Sequence, residues 1–274
     1  MSERSDPVAD WWQTAIIDME PGKIRLRGHP IEQLIGQTSF PQMIWLMTRG
    51  SLPNEDEAHL LEAALVAAVD HGPQAPSIAT ARMAVTCGAS LNGAMASAVN
   101  MLDDVHGGAG EQAVTFYQQI ADDIDNGQDE SAAIARGIDG WLANESRYIP
   151  GFGHRFHTPQ DPRAPRLLEL VKGAADAGTV SGKFATIAAG VERELHRRKG
   201  KPVPMNIDGA TAVIYAELGF PAPLARGLFC LSRSVGILAH AHEQMEQGGR
   251  NKGPTPTEHR WTYTGPNPIS EDDA

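Results

Sequence analysis

The 274-residue sequence predicts an all-α protein, and three observations carry that expectation. Apolar residues recur at helical spacings of three and four, as in Leu60, Leu61, Ala64, Leu65, Ala68 and Val69, and again in Leu224, Leu228, Leu231, Val235 and Leu238. Strand-like alternation is scarce. Glycine or proline interrupts the pattern at most joints, where a helix must stop.

In chain order, the first expected helix covers 39–48 (SFPQMIWLMT), and Gly50 and Pro53 separate it from the second, 55–69. Gly72-Pro73 precedes 77–102, an Ala- and Gly-rich stretch whose small side chains allow close helix approach. Gly107-Gly108 then leads to 111–126, and Gly127 to 130–144. A longer irregular segment with Pro150, Gly151, Gly153, Pro159 and Pro162 precedes 164–176. Gly178 introduces 179–198; Gly200, Pro202 and Pro204 precede 209–218; Gly219 and Pro221 precede 222–247. The polar remainder from Gly248 reads as an irregular arm.

The chain is long enough for one large domain or two modest ones with a buried core. Lys and Arg total 23 against 34 Asp and Glu, so the formal charge of -11 argues against nucleic acid or an anionic membrane as a partner. An anionic ligand would have to be caught by a local cluster of arginines. Cys87 and Cys230 fit no metal or redox spacing, and no apolar run reaches membrane length, so a cytoplasmic protein without bridging disulfides is expected.

Four polar motifs sit at glycine- or proline-marked joints, where side chains can face a cleft: Asp70-His71-Gly72-Pro73, His106-Gly107-Gly108, Gly153-His154-Arg155 and Asn206-Ile207-Asp208-Gly209. Asn-x-Asp-Gly also suits a plain turn or helix start. Arg233 lies in the apolar run LFCLSRSVGIL, where a charge has to be paired or bind something. The stretch GFGHRFHTPQDPR lets the backbone approach a ligand at Gly151 and Gly153 and ends on Arg163, a planar fork suited to a carboxylate. His154 and His157, or His240 and His242, form no recognised metal pattern, so no metal is expected; His240 and His242 also cannot both face inward. Walker, dinucleotide-binding and nucleophile-elbow patterns are missing, which leaves two histidines and one aspartate as the proton-transfer set.

In order along 24–246, IRLRGHPIEQLIGQTSF, VDHGP, HGGAGE, PGFGHRFHTPQDPRAP, PMNIDGATAVIYAELGFP and LFCLSRSVGILAHAHEQ resemble the citrate synthase superfamily. The resemblance implies an all-α, two-domain dimer, with 1–106 and 216–274 forming a large domain, 107–215 a small one, and the active site in the cleft. It implies that His106 hydrogen-bonds the thioester oxygen of an acyl-CoA, that Asp208 exchanges a proton at the acyl α-carbon, and that His154 handles the proton on the ketone or alcohol oxygen. His71, Arg163 and Arg233 match residues that hold substrate carboxylates, and Gly151, Gly153 and Arg155 lie where CoA is met. No bound cofactor is implied; the CoA thioester is itself a substrate.

Residues 50–71 run directly into VDHGP, where condensing members of the superfamily carry several more helices. In this the chain is similar to stand-alone citryl-CoA lyases and to the lyase module of ATP citrate lyase, as it is in EHRWTYTGP. The implied reaction is cleavage of citryl-CoA to acetyl-CoA and oxaloacetate. The alternatives are a citrate synthase or related acyl-CoA:2-oxoacid condensing enzyme, and a non-catalytic CoA-binding regulatory subunit. The chain departs from the superfamily's pattern at Lys252-Gly253-Pro254, where an arginine precedes proline, at Thr158, where a basic residue is usual, and at Gly110, where asparagine is favoured.

Overall fold

The structure, a computed structural model, describes residues 11–154, 157 and 159–267. Helices dominate, as expected, but the chain first forms a small antiparallel sheet of β1 (Ile17–Glu20), β2 (Lys23–Leu26) and β3 (His29–Pro30) that the sequence analysis missed. Pro21 and Gly22, the latter at φ +79°, make the first turn; Arg27 and Gly28, both at positive φ, make the second. Every residue of β1 is exposed, so no inward face existed to produce an alternating pattern.

The helices are α1 (Ile31–Leu34), α2 (Phe40–Arg49), α3 (Glu55–Ala67), α4 (Pro76–Thr86), α5 (Leu91–Val99), α6 (Ala109–Asp125), α7 (Glu130–Asn144), α8 (Arg163–Asp176), α9 (Lys183–Lys199), α10 (Ile207–Glu217) and α11 (Ala222–Gln247). The single helix expected over 77–102 is therefore two. Gly88, at φ +96°, breaks it in the left-handed region that glycine tolerates, and the chain restarts at Ser90. Ser39 and Asn54 begin α2 and α3 with reciprocal capping boxes through Gln42 and Glu57.

By internal packing the chain forms two compact units, 1–69 with 104–232, and 70–103 with 233–274. In the first unit α10 is the centre: Ile207 and every residue from Gly209 to Ala216 are buried. A helix apolar on all sides belongs in a core, and each large side chain there contributes roughly 1.5–3 kcal/mol by burial. Packed against α10 are α6, bringing Phe116, Tyr117 and Ile120; α8, bringing Leu167 and Val171; and α9, bringing Ile187 and Val191. Glu217, the last residue of α10, accepts from the backbone N–H groups of Gly182 at 3.0 Å and Phe184 at 2.7 Å, and so caps α9 from outside.

The second unit pairs α4 with α5 and includes α11 from Arg233 onward. Ile78, Ala81, Ala94, Ala98, Ile237 and Ala241 are buried in it. The arm after α11 is irregular through residue 267 and is tied to α4 where Asn251 and Lys252 donate to the carbonyl and hydroxyl of Thr86 at 3.0 and 3.1 Å. Neither Cys87 nor Cys230 is in a disulfide.

Candidate active site

Two loops make the centre of the site. Residues 151–153 run beside 204–206: the Gly153 N–H donates to the Pro204 carbonyl at 2.7 Å, the Asn206 N–H to the Gly151 carbonyl at 2.9 Å, and the Asn206 side-chain amide to the Gly153 carbonyl at 2.8 Å. Asn206 also caps α10, its Oδ1 accepting from the N–H groups of Asp208 at 3.0 Å and Gly209 at 3.2 Å. One side chain thus fixes both the loop that carries His154 and the turn that carries Asp208.

The glycines earn different explanations from the one expected. A Cβ on Gly151 would stand 2.5 Å from the Gly209 Cα, and one on Gly209 would stand 2.4 Å from the Gly151 carbonyl oxygen. The space at Gly151 is therefore filled by α10, and Ala113 of α6 closes it from another side. Gly153 sits at φ +83° with both backbone polar groups already engaged. Arg155 and Thr158 lie outside the described residues.

Asp161, fully buried, is the residue whose role sequence reasoning missed. It accepts from Arg163 Nε at 2.9 Å, Nη2 at 2.8 Å and the Arg163 N–H at 3.1 Å, and from the Ile207 N–H at 3.2 Å. It therefore joins the start of α8 to the start of α10, and with them Arg163 to Asp208. Burial pushes the Asp161 carboxyl up, but the hydrogen bonds and charge of Arg163 outweigh it and hold the pKa below the usual value. Asp161 thus occupies the Nε and Nη2 edge of Arg163. Asp-Pro-Arg, with opposite charges two residues apart, was the available signal.

His154 is half-buried and stacks on His157 with ring centroids 4.4 Å apart. The His157 backbone N–H donates to His154 Nδ1 at 3.0 Å. A backbone amide can only donate, so Nδ1 is bare and the neutral ring carries its proton on Nε2. Burial, then the charge of His157, lower the His154 pKa; Asp161 opposes this and Arg163 adds to it.

Asp208 stands half-buried in the first turn of α10, where the helix dipole favours a carboxylate. Its charge, after burial itself, helps push the Tyr215 phenol up, which places Tyr215 within its electrostatic reach. His106 is half-buried just before α6. Gly107 is at φ +106°, and a Cβ on Gly108 would meet the Asp104 backbone at 2.7 Å, which explains the His-Gly-Gly order. Arg226 of α11 bonds both Asp104 and Glu111, on the two sides of His106.

His154, Arg163 and Asp208 are thus gathered in the first unit, and His106 belongs to the same unit. His71 and Arg233 belong to the second, His71 exposed in the turn before α4 and Arg233 buried in α11 at 4% exposure. The assembly offers a proton donor at His154 Nε2, a carboxylate at Asp208 and a cation at Arg163, a set that can move protons at an oxygen and an adjacent carbon.

A family model described as citrate synthase, C-terminal domain, matches residues 53–254. Among curated proteins, the citrate synthase of Saccharolobus solfataricus is 27% identical over 83% of this chain and 57% of its own length. That of Haloferax volcanii is 30% identical over 73% and 50%. The chain spans about half the length of these relatives. Among solved structures, the citryl-CoA lyase from Hydrogenobacter thermophilus superposes with a TM-score of 0.82 at 33% identity, covering 94% of this chain and 96% of that one. An ATP citrate lyase from Methanothrix soehngenii shares the fold at a TM-score of 0.80 and 21% identity, over 99% of this chain and 43% of its own.

Proposed function

Because the chain belongs to the citrate synthase family, we propose that it makes and breaks the carbon–carbon bond between the α-carbon of an acyl-CoA and a 2-oxoacid, and that its reaction is the cleavage of citryl-CoA to acetyl-CoA and oxaloacetate. The observation that carries the lyase reading is the likeness to a citryl-CoA lyase at 33% identity and a TM-score of 0.82 over nearly the whole of both chains; a citrate synthase structure from Thermotoga maritima that also aligns over 94% of both chains does so at 19% identity and a TM-score of 0.62.

In this reading His71, Arg163 and Arg233 hold the substrate carboxylates. The hydroxyl of citryl-CoA loses its proton as the bond opens; the bond's electron pair passes to the thioester as an enolate, whose oxygen takes a hydrogen bond from His106. Asp208, entering as the acid, protonates the α-carbon, and acetyl-CoA and oxaloacetate leave. His154 contacts the hydroxyl oxygen. To accept the proton at Nε2 it must adopt the Nδ1–H tautomer and give up the His157 amide bond, a change of roughly 0.5–1.5 kcal/mol. That is small beside a reaction barrier and does not bar cleavage.

The resting tautomer supports the second reading, condensation, in which Nε2–H donates to the oxaloacetate carbonyl as the new bond forms. The proposal includes two lobes, 1–106 with 216–274 and 107–215, that close over the substrate and exclude water. It also includes a cytoplasmic homodimer or higher homo-oligomer.

The test is to give the protein citryl-CoA and follow oxaloacetate and free thiol separately. The lyase reading expects oxaloacetate and acetyl-CoA without free CoA, and Asp208→Ala at least about a hundredfold slower with substrate still bound. Free CoA from acetyl-CoA plus oxaloacetate establishes the condensing reading instead. CoA binding without turnover of either pair establishes a regulatory subunit.

A further inference from the structure

Asp70, His71 and Gly72 form the turn that enters α4, and the contacts behind that turn come from two helices. Arg82 of α4 has Nη1 at 3.2 Å from His240 Nδ1. A guanidinium has only donors, so Nδ1 accepts and the neutral ring carries its proton on Nε2. His240 Nε2 faces Asp70 Oδ1 at 3.2 Å, a close polar contact. The other oxygen of Asp70 accepts from the Gly72 N–H at 3.0 Å, and the Gly72 carbonyl in turn accepts from the Ala75 N–H at 3.1 Å.

Arg82 is itself held, by Glu243 Oε2 at 2.5 Å and Gln247 Oε1 at 2.7 Å. Glu243 Oε2 also stands 3.8 Å from His240 Nδ1, too far to displace the guanidinium there. Arg82 thus donates to the imidazole, whose Nε2 faces Asp70, and Asp70 also accepts from the backbone on the far side of His71. Two residues further along α11, His242 has none of this. It is exposed, and its ring faces only Glu246, at 3.6 Å.

We propose that His240 is a positioning residue for His71. Its ring, held at Nδ1 by Arg82, sets Nε2 against one oxygen of Asp70, and Asp70, whose other oxygen accepts from the Gly72 N–H, sets the backbone on which His71 is presented. Gly72 is at φ +79°, a conformation that glycine supplies to the turn without steric cost. An apolar side chain at 240 takes the imidazole away from Asp70 and leaves Arg82 with its carboxylate and amide partners. The inference rests on the reading of His71 as a substrate-carboxylate ligand, which is why one of its tests does not involve turnover.

The full-length protein and its His240→Leu and His240→Gln variants are compared for kcat and KM with citryl-CoA. Glutamine restores a side-chain N–H toward Asp70. His240→Leu is expected to raise KM about tenfold with kcat within about threefold, and His240→Gln to return KM to within about threefold of wild type. An unchanged KM in His240→Leu, or a glutamine variant no better than leucine, overturns the proposal. Where the leucine variant does not fold, the comparison of wild type with glutamine decides, a KM shift beyond about tenfold in the latter overturning it. Independently, long-range proton–nitrogen correlation of 15N-histidine-labelled wild type is expected to show His240 as the Nε2–H tautomer. An Nδ1–H ring or an imidazolium overturns the positioning role even in an active enzyme. Wild type inert toward citryl-CoA but carrying the Nε2–H tautomer overturns the functional reading and leaves the His240 contacts standing.

Discussion

His154 is a neutral imidazole in surroundings that oppose its protonation. Burial comes first, then the charge of His157, with Arg163 adding to these and Asp161 pulling the other way, so its pKa lies below the ordinary 6.5. The acid limb of the kcat profile is therefore expected below pH 6.5, and His154→Asn should remove it. The same shift acts on stability. With the folded pKa depressed, the unfolded chain takes up the proton first; stability is complete above pH 6.5 and is lost as pH falls through the folded value, which unfolding curves across that window will show. At this scale much was legible. His106, His154, Arg163 and Asp208 stand at or near glycine- and proline-marked joints, and the roles proposed for them rest on the family resemblance. Asp161 and Asn206 were not legible as organisers, because each acts on backbone 46 and 53 positions away.

Glu217 shows the same limit for whole elements. The start and end of most helices could be read from glycines, prolines and caps, but nothing near Gly182 reveals that the cap of α9 arrives from α10. Glu217→Ala leaves the N–H groups of Ser181, Gly182 and Phe184 without that acceptor. A loss of about 2 kcal/mol is expected, seen as a Tm lower by about 4–8 °C. The expectation of one helix over 77–102 failed for a different reason. Its composition is helical throughout, and only a single positive-φ residue, Gly88, turns the chain back on itself to pair α4 with α5. The three strands left no periodic trace, since they bury almost nothing.

Across the whole molecule, net charge and composition gave the class of protein but not how distant parts support the site. Arg226 bonds Asp104 and Glu111 from 122 and 115 positions away, and its partners raise its pKa beyond the usual range, Asp104 foremost, against the opposing effect of burial. It clamps the chain on both sides of His106. Arg226→Gln is expected to lower kcat about tenfold while KM for the oxoacid product stays within about threefold, as steady-state kinetics in both directions can show. Such long-range pairs explain why a chain of net charge -11 keeps cations where its chemistry needs them. Among the described residues α11 alone passes for a membrane span by length and hydropathy, yet Leu228 is buried in the core and Arg226 is ion-paired.

The burial of α10 has a consequence for the record that variation can leave. Its first turn carries Asp208 with Gly209 against Gly151, its body is enclosed on every side, and its last residue holds α9. From Ile207 to Glu217 every residue is buried except Asp208 and Glu217, which are half-buried and engaged at the two ends, so few positions are available to drift. In a saturation library selected for activity, this helix is expected to return almost only its own sequence, while β1 accepts nearly anything. Selection for new substrates must then work through the loops around α10, because the helix itself has no neutral neighbours in sequence space.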